Sequence, residues 1–324
     1  MDAAIFTLTS PLLGIDEAIR LVGKEFPRSS IGRDLVRSAR HYEQSGVSYE
    51  AYFEFLFNQL SLRLDDWTRL HGEVDLSILM VAVSIAIVEA ISIFLVGIGP
   101  ASAILITLPI PLILVIHVNQ VEVFKYDYVK PTIVALAACA LAYVVSRSYT
   151  YCLIAASMGF STLFIPQFAN YLKTMLNLRA RVLEPILELM WNPSPRPIRP
   201  ITVVEREVAR IWDVAYSVGA PYFVSRAARV VDLLISHIVQ AVRYDFIYGS
   251  LALASYLIVA TFLTYLARHL PPTISMFPLA GFQIEGWFIA LSSLMISILA
   301  GKAMNSIGFG VVLIAPTLAL ATLL

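Results

Sequence analysis

The residue types that could do chemistry in this chain are few and widely spaced. Five histidines, His41, His71, His117, His237 and His269, are placed so that no two stand at i,i+4. No His-Glu-x-x-His run brings a metal-binding pair onto one helical face. Each histidine therefore reads as structural or interfacial. There is no Gly-x-x-x-x-Gly-Lys-Ser/Thr run to cradle nucleotide phosphates and no Gly-x-Ser-x-Gly elbow to hold a nucleophile. Cys139 and Cys152 both lie in apolar runs, where a thiol behaves as a small hydrophobe rather than as half of a disulfide or a metal ligand. The expectation is a protein without catalytic centre, cofactor or metal.

Charged residues in unusual places are more informative. Glu89 falls in the middle of a long apolar run. An ionised carboxylate in hydrocarbon costs about 3 kcal/mol or more, so Glu89 reads either as an intramembrane coupling residue or as a protonated, hydrogen-bonded side chain packed on a neighbour. Arg33, Arg37 and Arg40 fall at i, i+4 and i+7 and share one helical face. That stripe could dock an acidic partner, or it could lie solvated beside anionic headgroups. Arg226 and Arg229 make a smaller pair with the same two readings. Asp65, Asp66, Glu73 and Asp75 form an acidic cluster that could meet a basic partner or pair with Arg63 and Arg69.

The elements carrying these residues follow from composition. Of 324 residues, 58% are hydrophobic and 14% charged. A soluble domain carries about a quarter charged residues, so the balance points to a bilayer. Zero net charge supplies no general field for nucleic acid. The first thirteen residues lack the basic start of a cleavable signal and are broken by Thr and Ser. Crossing the hydrocarbon takes about 20 residues, and seven candidate spans emerge, at 76–97, 101–117, 131–146, 149–168, 246–267, 285–300 and 306–324. Pro109, Pro111 and Pro316 should kink the runs that hold them.

Basic residues set the orientation, because Lys and Arg flanking spans stay on the cytoplasmic side. Eight precede the first span and ten lie between spans four and five, while Lys125, Lys130 and Lys302 alternate onto the same side. Only Arg147 and Arg268 fall opposite, so 21 of 23 agree. The N-terminus is expected in the cytoplasm and the C-terminus outside.

Both polar segments read as helices. Ile15, Ala18, Ile19, Leu21 and Val22 share a face. Ser30 can cap a second helix that Gly46 ends, and Ser48 can cap a third. Pro193, Pro195, Pro197 and Pro200 make residues 191–200 a stiff linker. Thr202 and Glu205 then have capping-box spacing, the helix they open should stop at Gly219, and Pro221 suits the start of the next. The expected fold is all-α, a polytopic membrane bundle of about seven transmembrane helices with two cytoplasmic helical segments. Its division is 1–75 and 169–245 for the polar segments, and 76–168 and 246–324 for four and three spans.

The polar segments also resemble each other. Gly46 precedes Leu76 by 30 residues, and Gly219 precedes Gly249 by the same number. The stretch 14–56, with Gly14, Glu17 and Ala18 answered by Gly46, Glu50 and Ala51, resembles the type II secretion F-domain. Residues 204–230 are similar to the start of the second helical domain in archaeal members of that family. Ala300, Gly301 and Lys302, then Ser306 and Gly308, are similar to its C-terminal hairpin. The resemblance implies a non-enzymatic inner-membrane platform of type IV pilus, archaellum or type II secretion machines. It implies a cytoplasmic secretion ATPase docked on the polar helices, pilin subunits as cargo, and a homodimer or higher assembly in the lipid bilayer. A secondary transporter is the main alternative, and a passive membrane scaffold a third. Against transport stands the lack of a basic residue beside Glu89.

Overall fold

The computed structural model describes residues 2–25, 38, 41, 44–95, 126–192, 198–200, 202–218, 224–269, 307–312, 314–316 and 319. The elements among them are helices: α1 (Asp2–Leu13), α2 (Ile15–Glu25), α3 (Tyr49–Leu95), α4 (Val129–Ser146), α5 (Tyr149–Leu176), α6 (Leu178–Glu188), α7 (Val203–Val218), α8 (Val224–His269) and α9 (Ile307–Val312). No strand occurs among the described residues, in keeping with the all-α expectation. The chain divides into two compact units. One gathers the described residues of Met1–Arg69 and Leu172–Gln240, the other those of Leu70–Val121, Tyr126–Tyr171 and Ala241–Leu324.

The first unit is built around α1. That helix is apolar nearly all round, and Ile5, Phe6 and Leu8 are fully buried. Its polar side chains are satisfied locally: the Thr7 hydroxyl donates to the Ala4 carbonyl at 2.9 Å and Thr9 to Ile5 at 2.8 Å. Gly14 adopts φ 80°, a left-handed turn that only glycine takes freely, and its N–H closes on the Ser10 carbonyl. The chain then reverses into α2, whose Asp16 and Glu17 sit at the positive end and Lys24 at the negative end. Among the described side chains of α2, only Ala18 and Val22 are buried, so this helix is amphipathic where α1 is not. Helix α1 packs against both α2 and α7.

Caps set the other boundaries. Gly46 takes φ 68°, and Ser48 accepts from the Ala51 N–H at 3.4 Å to open α3. Thr202 and Glu205 close a reciprocal box ahead of α7. The Glu205 N–H donates to Thr202 Oγ1 at 3.1 Å, and the Thr202 N–H donates to Glu205 Oε2 at 2.7 Å. Arg181 of α6 adds an ion pair at 2.7 Å to Glu205, whose side chain is 1% exposed. The expected helix around Arg33, Arg37 and Arg40, the linker core 193–197, and Gly219 with Pro221 lie outside the described residues.

In the second unit α4 and α5 form a hairpin. Arg147 closes α4 in the left-handed region (φ 50°), with its N–H on the Tyr143 carbonyl. Gly159 of α5 lies so near α4 that an added Cβ would stand 3.0 Å from Ala138 Cβ and 3.1 Å from the Val134 carbonyl. The Ser157 hydroxyl donates to the Val311 carbonyl of α9 at 2.7 Å, and Gly308 of α9 abuts the Phe164 ring. Aromatic rings at Tyr126, Tyr128, Phe160, Phe164, Phe168 and Tyr171 pack along α5.

Among the described residues, two helices, α4 and α5, are long and apolar enough to cross a membrane. Only 6% of α4 and 28% of the most apolar window of α5 is buried, unlike the core helix of a water-soluble domain. The outward side chains of α4, among them Leu136, Leu141, Val144 and Val145, are apolar. The apolar runs expected at 76–97 and 246–267 fall largely in the C-terminal parts of α3 and α8. Those at 101–117 and 285–300 lie outside the described residues, and 306–324 is described only in part, at 307–312, 314–316 and 319.

Candidate functional site

Within the first unit α3 and α8 lie side by side and run in the same direction. Glu50 meets Arg226 at 3.0 Å and Glu54 meets Arg229 at 2.8 Å, pairs separated by 176 and 175 residues. Farther along, His237 Nδ1 and the Thr68 hydroxyl are 2.9 Å apart, 169 residues being the separation. A nearly constant offset with both numbers rising is the mark of parallel helices. The arginines also stack: Arg226 lies 5.5 Å from the Phe53 ring centre, and Arg229 lies 4.6 Å from that of Phe57.

This local arrangement has a physical logic. Arg226 and Arg229 occupy the first turns of α8, where the helix dipole disfavours cations. Glu50 and Glu54 occupy the corresponding turns of α3, where it favours anions. Pairing them offsets the unfavourable end with the favourable one. Glu50 is held below the ordinary carboxylate range, first by its own backbone N–H and then by Arg226. Both arginines singled out as docking residues are thus engaged within the chain, and Arg229 remains about half exposed. The acidic cluster divides as well: Asp66 pairs with Arg69 at 3.4 Å, and Asp65 stands 3.6 Å from His237.

In the second unit the same two helices build a buried polar centre. His71 and Asp75 are at i,i+4 on α3 and share a face. Asp245 comes from α8, and its Oδ1 lies 2.6 Å from His71 Nε2. Asp75 Oδ2 lies 3.7 Å from the same nitrogen. The His71 side chain is 9% exposed and each carboxylate 4%. The helices approach closely at this level, since a Cβ on Gly72 would stand 3.2 Å from the Tyr244 ring. Burial, and next the adjacent Asp245 carboxylate, pushes the Asp75 carboxyl well above its usual range. The potential ligand atoms of His71, Asp75 and Asp245 all lie within 4.8 Å of one another.

No family model, curated protein or solved structure matches the chain.

Arg33, Arg37 and Arg40 lie outside the described residues, and Glu89 falls on α3 with its side chain also outside them. Sequence reasoning passed over the buried centre. It sought histidine pairs at i,i+4 and so missed His71 with Asp75, and it gave Asp245 no role. A usable signal was present: Asp75 and Asp245 each immediately precede an apolar run, at 76 and 246.

Proposed function

We propose that this chain is a non-enzymatic, multi-pass platform of the cell membrane for assembly of a type IV pilus-like filament. In this reading its polar helices receive a cytoplasmic secretion ATPase, and its apolar helices pass the resulting motion to pilin subunits. About seven spans would leave the N-terminus in the cytoplasm and the C-terminus outside. What supports the reading is the matched pair α3 and α8, of 47 and 46 residues, each starting in a polar segment and continuing into an apolar run. Two such helices side by side are what an internally duplicated platform needs to carry a stroke from one end to the other. The resemblance of residues 14–56 and 204–230 to the F-domain supplies the rest.

The test is affinity capture of the detergent-solubilised protein from its native membranes, followed by mass spectrometry. Co-recovery of a secretion-type ATPase and a pilin is expected. Recovery of neither would end the platform reading. A second reading, an ion-coupled secondary transporter, draws its support from the buried His71, Asp75 and Asp245 centre, because buried ionisable groups are the usual machinery of transport. It predicts solute uptake into vesicles that depends on an ion gradient, which a platform would not show.

A further inference from the structure

We infer that His71, Asp75 and Asp245 form a binding site for one divalent cation of the zinc class, held between α3 and α8. Three observations converge on it. The three side chains are each at least nine-tenths buried and direct their ligand atoms into one space less than 4.8 Å across. Asp75 Oδ2, fully removed from solvent, has no hydrogen-bond partner, so a buried carboxyl oxygen faces the centre unsatisfied. And two carboxyl groups share one buried site with a single imidazole, where a dication can take the place of the proton that the carboxyl pair would otherwise hold.

The geometry suits that class of ion. Ligands about 2.1 Å from a tetrahedral metal stand roughly 3.4 Å from one another. The Nε2 separations of 2.6 Å to Asp245 and 3.7 Å to Asp75 bracket that distance. Small rotations of three side chains would complete the site. One nitrogen with two carboxylates fits zinc, or cobalt in its place. It does not fit calcium or magnesium, which take six or more oxygens. Three protein ligands leave a fourth position for water. A cation at the centre would take the lone pair of His71 Nε2, so that nitrogen carries no proton while the ion is bound. The inference does not rest on the platform reading and holds equally for a transporter.

The full chain, carrying an affinity tag without histidine and reconstituted in lipid nanodiscs, should be stripped with chelator and titrated with zinc chloride alone. One zinc per chain by elemental analysis is expected, with a rise in thermal midpoint. Cobalt should give the visible absorption of a four-coordinate site. Asp75→Asn is nearly isosteric and should fold. It is expected to weaken zinc at least about tenfold and abolish the cobalt band. Asp245→Asn should do the same. Zinc bound equally well by wild type and Asp75→Asn would overturn the inference, as would no stoichiometric binding. An infrared band of a protonated carboxyl that survives zinc and vanishes in Asp75→Asn would also overturn it, because a proton would then occupy the centre.

Discussion

Arg229 in the opening turns of α8 reaches Glu54 in the opening turns of α3 at 2.8 Å. Both side chains are about half exposed, which limits the energy of the pair to roughly 0.5–1 kcal/mol. The contact is nonetheless directional, because it fixes which turns of two parallel helices lie level.

Arg229→Glu should therefore lower the thermal midpoint by a few degrees through like-charge repulsion with Glu54, and adding Glu54→Arg should restore it. Stability and partner binding can then be separated. If Arg229 also docks the ATPase, the exchanged pair will fold normally yet capture less ATPase. Full capture by the exchanged pair would confine Arg229 to a role within the chain.

Glu50 gives a pH signature of definite sign. Its carboxyl is held low in the folded state, so its stabilisation is present above the ordinary carboxylate range and lost as pH falls through the depressed value. Glu50→Gln is expected to melt below wild type near neutral pH, and the gap should close on acidification. A gap unchanged across that range would show that ionisation of Glu50 contributes nothing.

Glu205 is the anchor of the α6–α7 corner. Its buried carboxylate accepts from the Thr202 N–H and hydroxyl and pairs with Arg181. Glu205→Ala removes all of these and should cost about 2 kcal/mol, while Thr202→Ala should cost about 1 kcal/mol. Thermal melts read both, and a Glu205→Ala loss no larger than that of Thr202→Ala would mean that the Arg181 contact is idle.

Gly159 tests the hairpin. Alanine gains helix propensity of about 1 kcal/mol but meets a carbonyl of α4 at 3.1 Å, so Gly159→Ala should be near neutral. Gly159→Leu has no room and should destabilise by about 2 kcal/mol. Chemical crosslinking between α4 and α5 should fall in that variant, and unchanged crosslinking with an unchanged melt would contradict the close approach.

How much was legible depended on how local the cause was. The Thr202–Glu205 box, the Ser48 cap and the turn at Gly46 are each complete within a few residues, and the structure has all three. The face shared by Ala18 and Val22 was equally readable from its period. Helix α1 escaped because a helix buried on every side has no polar face to produce a period. Its Thr7, Thr9 and Ser10 look like breaks in an apolar run until their hydroxyls are seen bonding back to the helix or lying in its core. The arginines were visible but their partners were not, since Glu50 and Arg226 are 176 residues apart. The same distance hid the meeting of His71 with Asp245.

That separation has a consequence during synthesis. The partners of α3 on α8 lie 169 to 176 residues further along the chain. At roughly 5–20 residues per second, α3 waits on the order of 10–35 s before Arg226, Arg229, His237 and Asp245 exist. Over that interval Glu50, Glu54, His71 and Asp75 have no counterpart on α8. Until then α3 carries His71 and Asp75 of the buried centre, and Asp245, the second carboxyl, is still to come. Pairing of α3 with α8 therefore waits on synthesis of α8 rather than on emergence of α3.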